Sequence, residues 1–156
     1  MSDSPLRILM ASTSGGHLTE NLILFEDMFE DDKFKCYIYT EKCNRKFNGN
    51  IAGVFNYTMG KGTYTSILGS FFKAFYIICK INPDWVVSTG AQVGLGTLLA
   101  AWILRRKTIF IETVTRFEKP TISAKILYHV ASKFYVQHPE MLKCFGRKAE
   151  YIGGII

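Results

Sequence analysis

Short apolar runs of strand length alternate with segments of helical spacing along nearly all of the 156 residues. That alternation restricts the chain more than any other feature. A strand that must reach a parallel neighbour through a helix yields a sheet flanked by helices. Leu6 to Ala11 (LRILMA) reads as the first strand, and from His17 to Phe29 the residues Leu18, Leu22, Phe25, Met28 and Phe29 recur at helical spacing. Phe34 to Thr40 and Gly53 to Thr58 read as strands, with a polar loop through Lys42, Asn44, Arg45, Lys46, Asn48 and Asn50 between them. After Gly60-Lys61-Gly62, a helix is predicted over Tyr64 to Ile81, stopped by Asn82-Pro83. Strands over Asp84 to Thr89, Lys107 to Glu112, Lys133 to Gln137 and Tyr151-Ile152 then alternate with helices over Gln92 to Leu104 and Ile122 to Ser132. The expected fold is α/β, a Rossmann-like doubly wound parallel sheet. With no repeat and no Pro/Gly/Ser-rich linker, residues 1–156 are expected to form one domain.

Composition removes several classes. A hydrophobic content of 48% with 21% charged residues is that of a folding chain rather than a disordered one. The longest apolar stretches, Ala91 to Leu104 and Ile67 to Cys79, fall short of the roughly 20 residues that span a bilayer. Cys36, Cys43, Cys79 and Cys144 show no CxxC spacing, so neither a zinc knuckle nor a redox pair is indicated, and reduced thiols fit a cytosolic setting. The start Met1-Ser2-Asp3-Ser4-Pro5 has no signal-peptide pattern. The formal charge of +6 lies mostly in residues 101 to 150, which hold 10 basic and 4 acidic residues. Such an excess is either a solvated basic face or a surface for an anionic partner. No helix-turn-helix, RNP-like or zinc-finger pattern supports nucleic acid as that partner. No DxD or His/carboxylate cluster suggests a metal, and no cofactor is expected.

Three segments could carry chemistry. In Ser12-Thr13-Ser14-Gly15-Gly16-His17, a glycine turn between a strand and a helix offers backbone N–H groups and a positive helix end to a phosphate or diphosphate. It is neither GxGxxG nor a P-loop with its lysine. His17 either serves as a general base toward a sugar hydroxyl or only orients the turn, and Glu20 is the other candidate nearby. Ser88-Thr89-Gly90-Ala91 and Glu112 to Arg116 follow later strands, so in a parallel sheet all three loops converge on one rim. The helix Tyr64 to Ile81 also carries more aromatic area than a sheet-facing stripe needs. Phe71, Phe72 and Phe75 beside Lys73 are candidates for membrane or partner contact, with core packing as the other reading.

Ser14-Gly15-Gly16-His17, the strand end Asp84-Trp85-Val86-Val87-Ser88-Thr89-Gly90, Glu112 with Arg116, and Val136-Gln137-His138-Pro139-Glu140 occur in an order that resembles one family over nearly the whole chain. It comprises the membrane-associated subunit of the eukaryotic UDP-N-acetylglucosamine transferase of dolichol-linked oligosaccharide assembly and bacterial capsular or exopolysaccharide glycosyltransferase subunits. Both resemble the N-terminal half of the peptidoglycan lipid-linked N-acetylglucosaminyltransferase, whose two Rossmann-like domains form a GT-B fold. The resemblance implies one half of a GT-B enzyme, the acceptor side of a heteromeric inverting transferase. A separate donor-binding subunit would hold the UDP-sugar, and the acceptor would be a polyprenyl-diphosphate-linked sugar at the inner face of the membrane. By the same resemblance Gly15 and Gly16 face the diphosphate, His17 and Glu112 are expected to be catalytic and Arg116 to bind substrate, and the rim position of Ser14, Thr89 and Gly90 adds them to the expected substrate- or diphosphate-binding residues. Two alternatives stand beside it: a scaffold that recruits the true transferase to the membrane, and a stand-alone Rossmann-like nucleotide-binding enzyme.

Overall fold

The computed structural model describes residues 4–47, 49–58 and 61–154. Its centre is a seven-stranded, wholly parallel sheet made of β1 (Leu6–Ala11), β2 (Phe34–Glu41), β3 (Ile51–Tyr57), β4 (Trp85–Ser88), β5 (Lys107–Ile111), β6 (Lys133–Val136) and β7 (Ala149–Tyr151). The strand order is β3-β2-β1-β4-β5-β6-β7, the doubly wound arrangement expected from the alternation. Chain direction reverses its travel across the sheet between β1 and β4, so their carboxyl ends flank the crevice in which such sheets bind ligands.

Helices α1 (Gly16–Leu24), α2 (Thr63–Ile81), α3 (Ala91–Ile103) and α4 (Ile122–Val130) connect the strands. The period of two along β1 sorts its side chains between two cores. Leu9 and Ala11 join a large cluster with Ile77 and Ile78 of α2, Val93 and Leu98 of α3 and Leu127 of α4. Ile8 and Met10 face a smaller cluster with Phe29, against which Leu22, Phe25 and Met28 pack. The predicted helix over His17 to Phe29 is corrected here. It ends at Leu24, and after Phe25 (φ −121°) the chain continues as a 3₁₀ turn over Glu26–Phe29. Tertiary packing of Phe29 against β2 outweighs the helical spacing that continued through it. The helix predicted to reach Ser132 stops at Val130, because Ala131 is extended and the Ser132 hydroxyl accepts from Thr108 N and so belongs to the β5–β6 edge. A 3₁₀ segment over Pro139–Cys144 has no counterpart among the predicted elements.

Close backbone approach fixes how α2 lies on α3. A Cβ added at Gly96 would stand 2.2 Å from Ser70 Oγ, 2.6 Å from Ile67 O and 2.9 Å from Phe71 N, so only glycine admits the contact. The buried side of α2 is Ser66, Ser70, Ala74, Ile77, Ile78 and Ile81. Its outer side shows Tyr64, Leu68, Phe72 and Tyr76, four residues apart and 88%, 58%, 64% and 65% exposed. Phe71 and Phe75, for which membrane or partner contact and core packing were both open, pack partly against the core and touch each other at 6.3 Å between ring centroids. Lys73 is exposed and its ammonium donates to the Asn56 carbonyl. Asn48 of the polar loop, Gly60 of the turn before α2 and the final Ile155-Ile156 lie outside the described residues.

Candidate functional site

The expected convergence of three loops occurs at the carboxyl edge of the sheet, and a fourth segment from β6 joins it. Two glycines make the approach possible. Gly15, before α1, has φ 97°, and Gly90, before α3, has φ 116°, both left-handed values that a side chain resists. Each glycine opens directly onto a helix, so the N-termini of α1 and α3 lie on either side of the β1/β4 crevice. Their positive ends suit an anion. Across the crevice the Gly90 backbone lies beside His17, where an added Cβ would be in van der Waals contact with the ring, 3.5 Å from Cε1.

His17 is held from both ends. Its Nδ1 lies 3.0 Å from the Thr89 carbonyl oxygen, and Thr89 Oγ1 donates back to the His17 carbonyl at 2.8 Å. Glu20 Oε2 stands 3.4 Å from the same Nδ1. Both neighbours of Nδ1 are acceptors, so in the neutral ring Nδ1 is the protonated nitrogen and Nε2 the one with the lone pair. Nε2 makes no hydrogen bond among the described residues, and the side chain retains 29% of its exposure.

Glu112 is placed otherwise. It is 1% exposed, and its carboxylate accepts from Thr113 N at 3.2 Å, Thr121 N at 3.1 Å and Thr121 Oγ1 at 3.2 Å. The carboxylate therefore braces the loop from Glu112 to Thr121, while Thr121 Oγ1 caps α4 by accepting from Ala124 N at 3.0 Å. Burial raises the Glu112 pKa, opposed by those backbone and hydroxyl hydrogen bonds and, least of all, by the charge of Arg116. Arg116 itself is exposed on this loop. Ser14, in the first glycine turn, donates to Glu41 Oε2 at 2.6 Å. Thus His17, Thr89, Gly15, Gly16 and Gly90 come together around one crevice, and Ser14 and Arg116 stand on its flanking loops. Phe71, Phe72, Lys73 and Phe75 belong to α2, a separate element.

Several residues that hold the rim together were not assigned roles from the sequence. Gln137 Nε2 donates to the Glu112 carbonyl at 3.1 Å, and His138 Nε2 donates to the Val114 carbonyl at 2.5 Å. Thr121 could have been found, since a threonine immediately before an apolar helical pattern is an N-cap signal. Among the described residues no cluster of three His, Cys, Asp or Glu side chains is placed to share a metal ion. No helix among them is long and apolar enough to cross a membrane.

Residues 58–155, well over half of the chain, match the family described as oligosaccharide biosynthesis protein Alg14 like. The chain belongs to that Alg14-like family. It is 26% identical to the UDP-N-acetylglucosamine transferase subunit ALG14 of Mus musculus over 182 residues, covering 97% of this chain and 83% of the mouse protein. It is 25% identical, over 96% of its own length, to the UDP-N-acetylglucosamine–N-acetylmuramyl-(pentapeptide) pyrophosphoryl-undecaprenol N-acetylglucosamine transferase of Geobacillus thermodenitrificans, of which it covers 45%. Among solved structures, MurG of Acinetobacter baumannii superposes with a TM-score of 0.77 at 16% identity, over 97% of this chain and 46% of that one. The UDP-GlcNAc 2-epimerase of Neisseria meningitidis, bound to UDP-GlcNAc, superposes equally well at 9% identity over 46% of its length. These likenesses establish the Alg14-like fold as one Rossmann-like half of a GT-B arrangement. The chain spans less than half the length of the full transferases and epimerases it matches.

Proposed function

We propose that this Alg14-like chain is a single acceptor-side domain of a two-polypeptide glycosyltransferase. It works with a donor-binding subunit to move a sugar from a UDP-sugar to a polyprenyl-diphosphate-linked sugar, at the inner face of a membrane, in cell-surface polysaccharide assembly. The observation that carries the reading is the setting of His17 beside the β1/β4 crevice: Nδ1 is committed to the Thr89 carbonyl, and Nε2, the lone-pair nitrogen of the neutral ring, makes no hydrogen bond among the described residues. There Nε2 takes the proton of the acceptor hydroxyl as its oxygen bonds to the anomeric carbon. The bond from that carbon to the nucleoside diphosphate breaks with inversion, and UDP leaves with the electron pair. The amides at the starts of α1 and α3, with Arg116, are suited to the acceptor's diphosphate. Glu112, whose oxygens are occupied by Thr113 and Thr121, acts by holding the loop rather than by meeting substrate.

Support for a membrane surface comes from α2, whose exposed Tyr64, Leu68, Phe72 and Tyr76 stand with Lys73 and Lys80, a combination of apolar insertion and attraction to anionic lipid. The same stripe favours a second reading, a non-catalytic scaffold that brings the true transferase to the membrane. Co-expression with the donor-binding polypeptide, followed by a transfer assay with a lipid-linked diphosphate-sugar acceptor and a panel of UDP-sugars, tests the first reading. A stable pair whose activity needs both chains supports it. Transfer by the partner alone at the full rate leaves only the scaffold.

A further inference from the structure

Glu20, the single carboxylate of the nine-residue α1, occupies a position that its sequence context does not explain. It is 5% exposed, and its two oxygens look in different directions. Oε1 accepts from Val114 N at 2.6 Å, from Thr113 Oγ1 at 2.9 Å and from Gln137 Nε2 at 3.5 Å, so it is fixed by the segments that follow β5 and β6. Oε2 has no hydrogen bond of its own among the described residues and faces His17 Nδ1 at 3.4 Å. A buried carboxylate oxygen left without a donor is costly unless something later supplies one.

From this geometry we infer that Glu20 is the positioning residue of the site: it locks His17 in the Nδ1–H form and ties that lock to the loop from Glu112 to Thr121. The inference rests on the reading of His17 as the base. With acceptors on both sides of Nδ1, the proton cannot move to Nε2 without leaving two oxygens facing a bare nitrogen. When Nε2 takes a proton from the acceptor, the imidazolium charge forms beside a carboxylate oxygen that has kept its hydrogen-bonding capacity free. The donors on Oε1 make the arrangement responsive. Any acceptor that orders the loop at Thr113 and Val114 also orders the carboxylate behind His17.

Glu20→Gln separates this role from plain packing. Its amide oxygen can keep the Val114 and Thr113 donors, and its NH₂ then faces Nδ1–H, donor against donor. In the full chain without substrate, ¹⁵N NMR of the neutral His17 ring is expected to read Nδ1–H in the wild type and a substantial Nε2–H population in Glu20→Gln. In the assembled complex, kcat is expected to fall at least about tenfold with the acceptor KM within about twofold, and Glu20→Asp to recover part of the loss. Thr113→Val, which removes one donor from Oε1 and keeps the charge, should move the ring signature the same way by less, and it serves where Glu20→Gln fails to fold. A wild-type ring protonated on Nε2, or an unchanged signature in the variants, overturns the inference. An absence of transfer with any partner would defeat the functional reading alone, since the ring measurement needs no activity.

Discussion

His17 and Thr89, 72 residues apart, hold each other reciprocally: the imidazole Nδ1 lies 3.0 Å from the Thr89 carbonyl, and the Thr89 hydroxyl donates to the His17 carbonyl at 2.8 Å. The pair staples the end of β4 to the start of α1 across the point where strand order reverses. A ring fixed in this way spends Nδ1 on the fold and leaves Nε2 without a hydrogen bond among the described residues.

His17→Ala is therefore expected to abolish most of the transfer while the complex still assembles, because the backbone carbonyl remains to accept from Thr89. The loss of a general base corresponds to about 10²- to 10⁴-fold in kcat. Activity within a few-fold of wild type, in a complex that co-purifies normally, would assign His17 to the turn alone and favour the scaffold.

Glu112 gives the folded chain a pH signature. Burial holds its pKa above the ordinary 4.5, so between 4.5 and the raised folded value the native state binds more protons than the unfolded state. The stability this group contributes is fully present below 4.5 and declines as pH rises through that window. Unfolding free energies of wild type and the non-titrating Glu112→Gln, compared across that window, should differ increasingly in favour of wild type as pH falls. A difference that grows in the opposite direction would mean that the Thr113 and Thr121 hydrogen bonds outweigh desolvation.

Gly96→Ala should destabilise the chain by about 1–3 kcal/mol, since the added methyl meets Ile67 O and Phe71 N, backbone atoms that cannot rotate away. Denaturant unfolding reads this directly. A variant as stable as wild type would show that α2 slides on α3 at little cost.

The outer stripe of α2 is tested by Leu68→Ser with Phe72→Ser. Both side chains are more than half exposed, so stability should change by no more than about 0.5 kcal/mol per site. Sedimentation with vesicles containing anionic lipid should drop sharply. Phe71→Ser is a poorer probe, because Phe71 is partly buried against the core and its loss would unsettle the fold as well. Unchanged vesicle binding by the double variant would remove the membrane role from this stripe.

The element order was legible from the sequence because it depends on local quantities: apolar period, glycine turns and chain breaks. Leu6–Ala11 and Lys107–Ile111 fall where their β-rich apolar runs put them, and Asn82-Pro83 ends α2 as a left-handed cap followed by a proline should. The glycine turn before His17 was equally visible, since it is a contiguous motif whose consequence, a bare helix N-terminus, follows from backbone geometry. Where the periodicity ran on, as through Phe25 to Phe29, packing ended the helix early.

What the tertiary structure alone decided is the set of donors that surrounds each carboxylate. In the sequence Glu112 stood out as a candidate catalytic residue after a strand, and Glu20 only as a second candidate beside His17. Glu112 turned out to be buried under Thr121, nine residues on, and Glu20 to bond Thr113 and Gln137, which lie 93 and 117 residues away. Propensity and period report the neighbours a residue has along the chain. The energy of a buried charge depends on the donors that the folded sheet edge brings to it through space, and no local pattern encodes those.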